Sequence, residues 1–117
     1  MVLPNRDESQ IPDEKLTQYL LALNHPVGHS KAVFFRGVGY DESNIEKLRD
    51  GFLTIAKNED VQEEISTKYG MKYVIQGPLN VPSGKTVFVT TVWIIEEGQT
   101  SPRFVTAYPA DDEEEES

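Results

Sequence analysis

Cysteine is absent from the 117 residues, which rules out disulfides, thiolate-bound metals and a cysteine nucleophile. Imidazole is scarce as well, with His25 and His29 the two histidines. They are four residues apart, but Pro26 and Gly28 lie between them and oppose a helical two-ligand metal face. Neither a metal nor another cofactor is therefore expected. No apolar run approaches bilayer-spanning length, and Met1 to Gln10 lack the apolar stretch of a secretory leader. A soluble, cytoplasmic protein without a membrane partner is the expectation.

Positive charge is also short, with eleven Lys and Arg against twenty Asp and Glu, a formal −9. Six of the acids stand together from Asp111 to Glu116, so Met1 to Ala110 carry a net charge of −3. A terminal block of like charge with nothing apolar to bury is expected to be disordered. Residues 1–110 then form a single domain, with 111–117 as a disordered acidic tail. Its plain role is solubility. Long-range attraction to nucleic acid is weak at this balance, DNA is not expected as a partner, and any phosphate site has to be local.

What the chain does have is concentrated between Lys72 and Pro109, where β-branched and aromatic residues recur between turn signals. Strands are expected over Val61–Lys68, Met71–Leu79, Lys85–Glu96 and Arg103–Tyr108. Tyr69-Gly70, Pro82-Ser83-Gly84 and Gly98–Pro102 form the turns. In the third strand Val87, Val89, Thr91, Trp93 and Ile95 share one face, and Phe88, Thr90, Val92 and Ile94 the other. Apolar residues on both faces make that strand central.

Upstream the period is helical. Pro12, Asp13 and Glu14 suit a first turn, and Leu16, Tyr19, Leu20 and Leu23 form a stripe expected to be buried, ended by Asn24 and Pro26. His25–His29 is a loop, and Ser30 is expected to cap a short helix carrying Ala32 to Arg36. Asp41 or Ser43 caps a third helix with Ile45, Leu48, Phe52 and Ile55 buried. That burial contributes on the order of 6–12 kcal/mol, against the ~1 kcal/mol that Gly51 costs. Three helical segments before four consecutive strands describe an α+β fold: N-terminal helices packed on one face of a four-stranded antiparallel β-sheet. A site is expected on the opposite face, which is half apolar, or along the loop between the first two helices.

Several pieces, in order, resemble a bacterial family known as an uncharacterised domain, DUF6883. They are L-P-N at Leu3–Asn5, I-P-D-E-K-L-T-Q-Y-L at Ile11–Leu20 and H-P-V-G-H-S-K-A-V-F-F at His25–Phe35. Gly39-Tyr40, K-Y-G at Lys68–Gly70 and R-F-V-T-A-Y-P at Arg103–Pro109 complete the set. Related domains look like C-terminal tips of polymorphic toxins. The helix-then-strand order is similar to the barnase–EndoU–colicin–RelE group of metal-independent ribonucleases, an analogy of architecture. The toxin-like relatives carry an arginine just before a Thr-x-Trp-like segment. Here Thr90 stands there, before Thr91-Val92-Trp93, which removes a cation that phosphate stabilisation would use.

The resemblance implies candidate chemistry. Metal-independent RNA cleavage needs a base, an acid and cations at the phosphorane. His25 would supply acid–base function, with His29 a second imidazole close by. Lys31 and Arg103 would bind phosphate, and Thr106 and Tyr108 would join His25 and Lys31 as catalytic candidates from the last strand. Each also has a structural reading: His25 as a cap before Pro26, His29 as plain surface, Lys31 as a solvated charge, Thr106 and Tyr108 as cross-strand packing. Two functions follow. One is a non-catalytic or degenerate relative acting as a binding module, with a protein or RNA as partner. The other is an active ribonuclease with a His/Lys/Thr site. The −3 body, the acidic tail and Thr90 favour the first.

Overall fold

The structure is a computed structural model describing residues 1–110; the acidic tail lies outside the described residues. Helix α1 (Asp13–Lys15) runs into a π-helical turn, Leu16–Leu20, and is followed by α2 (His29–Gly37) and α3 (Ile45–Asn58). Strands β1 (Glu63–Thr67), β2 (Gly70–Asn80), β3 (Thr86–Glu96) and β4 (Arg103–Pro109) form an antiparallel meander in the order β1-β2-β3-β4. The helices cover one sheet face, as the α+β pattern requires. No described helix is long and apolar enough to cross a membrane.

Helix α3 follows the expected periodicity at Leu48, Phe52 and Ile55, which are buried, but Ile45 in its first turn is only half-buried and Ala56 joins the buried row. Asp41 caps not α3 itself but the 3-10 turn Glu42–Asn44 that leads into it: its carboxylate accepts from the Ser43 amide, and Asn44 closes the reciprocal half of a capping box. Gly51 proves to be more than a weak point. A Cβ there would lie 2.3 Å from Leu79 Cδ1, so the missing side chain lets α3 settle onto β2.

The first helix departs from expectation. Leu21 N–H donates to the Leu16 carbonyl at 2.9 Å, five residues back, so the turn is π-helical. The wider turn moves Leu21 into the buried row with Leu16 and Leu20, leaves Leu23 49% exposed and turns Tyr19 to the rim. The expected Ser30 cap is not made: α2 begins at His29, with Gly28 at the cap position and no side-chain cap bond.

Aromatic rings fill the space between helices and sheet. Phe52 stacks on Phe104 at 5.1 Å and meets Phe35 edge-on at 5.8 Å, and Trp93 meets Phe104 edge-on at 5.4 Å. The Thr-x-Trp segment has a structural account here. Trp93 Nε1–H donates to Thr91 Oγ1 at 2.8 Å, and that hydroxyl donates to the Ile75 carbonyl at 2.8 Å. They lie two residues apart on one pleat face, and among the described residues no buried side-chain nitrogen or oxygen lacks a partner. Tyr40 is also buried, donates to the Asn80 carbonyl, and burial raises its phenol pKa.

Strand β4 contains a bulge. Val92 pairs with Thr106 and Trp93 with Phe104, leaving Val105 extra. Its carbonyl accepts from Lys15 Nζ at 3.0 Å, while Gln10 bridges the strand's start through the Phe104 amide and Pro102 carbonyl. These contacts occupy part of an edge that would otherwise invite another strand.

Candidate functional site

The site is built where the loop before α2 meets β4. Gly28 is buried against Tyr19, and a Cβ on it would lie 2.4 Å from the Tyr19 carbonyl oxygen, so the loop closes only on glycine. The Val27 and Gly28 amides donate to His25 Nδ1 at 3.0 and 2.9 Å. His29 Nδ1 lies 2.7 Å from the Leu23 carbonyl, which can only accept, so that nitrogen carries a proton. The two rings therefore hold opposite tautomers when neutral. His25 bears its proton on Nε2, whereas His29 keeps a lone pair there.

Tyr19 is the hub. Its hydroxyl bonds the Thr106 hydroxyl at 3.0 Å, and its ring meets His25 edge-on at 5.1 Å. Lys15 Nζ and Lys31 Nζ lie 5.1 and 5.7 Å from its ring centroid, both within cation–π range. Beside it opens a cleft of about 360 Å³ lined by Ser30, Lys31, Tyr108 and Pro109. The sheet register puts Thr106 and Tyr108 on the open face, across from Val92 and Thr90. Thr90 is fully buried although it belongs to that face, because Gln76 Nε2 reaches over from β2 and donates to its hydroxyl at 3.0 Å.

Of the residues singled out from the sequence, His25, Lys31 and Thr106 meet through Tyr19, and Lys31 meets Tyr108 across the cleft. Arg103 stands apart. It is at the other end of β4, its guanidinium 3.7 Å from Glu96 Oε1. Tyr19 and Lys15 went unnoticed because Tyr19 fell on a leucine stripe. One signal pointed to them: a tyrosine on such a stripe needs a partner for its hydroxyl, and a lysine four residues earlier on a helix lies beside it. Chemically, the arrangement offers an ammonium and hydroxyls at an open cleft, with imidazoles on its flank. Among the described residues no cluster of three His, Asp or Glu is placed to hold a metal.

Comparison with curated proteins gives no match. Among solved structures, one chain of a contact-dependent growth inhibition toxin–immunity protein complex from Klebsiella pneumoniae 342 has a similar fold. Its TM-score is 0.66 at 18% identity, over 85% of this chain and 97% of that one. At that identity the likeness concerns the fold. The model of the domain of unknown function DUF6883 matches residues 2–111, and the chain belongs to that family.

Proposed function

We propose that this domain is a non-catalytic binding module, a relative of toxin-type ribonuclease domains that keeps the fold and a cleft for an anionic group of its ligand. The observation that carries this reading is the engagement of His25. Its Nδ1 lone pair is engaged by two backbone amides within the loop, so that atom is not available to act as a base on a ligand. Thr106 is likewise spent on Tyr19, which leaves Lys31 and Ser30 as donors facing the cleft. Thr90 in place of an arginine, and a body at −3, support a binder over a polyanion-cleaving enzyme. The fold neighbour's setting, a complex of two proteins, supports a protein as one class of partner.

One observation favours the second reading, an active metal-independent ribonuclease. His29 keeps an unprotonated Nε2 when neutral, the form a general base needs, next in sequence to the cleft residues Ser30 and Lys31. Incubation with total RNA separates the two. The binding module leaves RNA intact at high protein concentration. Cleavage by the wild type that disappears in His29→Ala and Lys31→Ala but survives in His25→Ala would establish the enzyme instead.

A further inference from the structure

Phe88 is 55% exposed near the start of β3, on the sheet face opposite the helices. The register sets it across from Pro78, which is also exposed, and one diagonal step from Tyr108, since Thr90 pairs with Tyr108. Diagonal neighbours on a sheet lie about 7–8 Å apart. Tyr108 in turn lines the cleft with Lys31 and Ser30. A bare phenyl ring therefore flanks Tyr108 on one side and an ammonium with a hydroxyl on the other. Thr90, across from Tyr108, is buried with its hydroxyl bonded to Gln76, so it demands nothing of a ligand. A molecule that uses both ends is a flat ring joined by a short linker to a group with several acceptor oxygens. The cleft's volume, about 360 Å³, falls in the range of small-ligand sites.

We propose that the cleft and Phe88 together bind a nucleoside monophosphate unit, with the phosphate at Lys31 Nζ and Ser30 Oγ and the base lying on the Phe88 ring. A free nucleotide and the phosphorylated end of an RNA strand share this chemistry. The proposal rests on the reading of the cleft as an anion site and adds the ring that selects the anion. It does not require cleavage.

The test is a calorimetric or NMR titration of the full chain with inorganic phosphate, adenosine, AMP and a 5′-phosphorylated tetraribonucleotide. Phosphate is expected to bind weakly, and AMP roughly five- to a hundredfold more tightly, the contribution of one stacked base. Phe88→Ala, which removes an exposed side chain, brings AMP down to the level of phosphate, whereas Lys31→Ala weakens both. A tetranucleotide binding more tightly than AMP identifies a strand end as the source, and weaker binding identifies the free nucleotide. AMP no tighter than phosphate, or an unaltered AMP affinity in Phe88→Ala, overturns the stacking proposal and leaves the anion site standing. No binding of phosphate by the wild type overturns the anion site itself.

Discussion

Against β2 and the start of β4, helix α3 is locked by apolar contacts: Phe52 between Phe35 and Phe104, and Leu79 seated in the space that Gly51 leaves. Toward the later part of β4, the first helix and the loop before α2 are held by hydrogen bonds and ring edges: Tyr19 to Thr106, Lys15 to the Val105 carbonyl, and His25 to two amides of its own loop. The first contact is dry and continuous with the core. The second leaves a cleft. Both regions touch one sheet, yet buried apolar area is concentrated in the first, and the cleft proposed for recognition lies in the second. Polar contacts fix geometry with small net energies, whereas buried apolar area carries most of the free energy of folding.

Substitutions on either side can break this division. The largest effect is expected at Phe52→Ala, which removes the ring between Phe35 and Phe104 and costs about 3–5 kcal/mol. Thermal unfolding should shift down by on the order of 15 °C or more. A small shift would mean that the aromatic layer is not the stabilising region. Gly28→Ala is expected to cost less, about 1–3 kcal/mol, because it drives a methyl into the Tyr19 carbonyl at the rim of the fold. NMR should show Tyr19 and His25 signals moving while the Trp93 indole N–H, held by Thr91, stays in place. Spread of the change to Trp93 would join the two regions into one unit.

The smallest effect belongs to Asp41. Hydrogen bonds from the Ser43 hydroxyl and amide hold its carboxyl below the usual carboxylate range. A lowered folded-state pKa means the stabilisation is complete above the ordinary value and is lost as pH falls through the lowered one. Asn caps without titrating, so Asp41→Asn should match the wild type near neutrality and flatten its acid limb. Urea midpoints on both sides of the carboxylate range read this directly. Parallel acid limbs in the two proteins would remove Asp41 from the pH response.

Strand periodicity made the sheet legible. Thr91 and Trp93 fell on the helix-covered face and Phe88 and Thr90 on the open one, because a side-chain period of two leaves no other placement. Helix α3 was legible for the same reason at period 3.6. The first helix was not, since one π turn shifts the phase of everything after it, and no residue from Leu16 to Leu20 announces it. That shift is why Leu21 took the place given to Leu23, and why Tyr19 turned to the rim beside the candidate site. Arg103 illustrates the opposite limit. Its place on β4 was clear, but the choice of Glu96 over the cleft depended on which strand end lay beside which.

The sequence by itself determined an α+β domain, the faces of its strands and the buried row of α3, because local period and turn chemistry fix where apolar side chains point. Tertiary structure alone decided that His25, Lys15, Lys31 and Thr106 would gather on Tyr19. Those groups come from segments up to ninety residues apart, and their meeting depends on a wide helical turn, a glycine without a Cβ and a bulge at Val105.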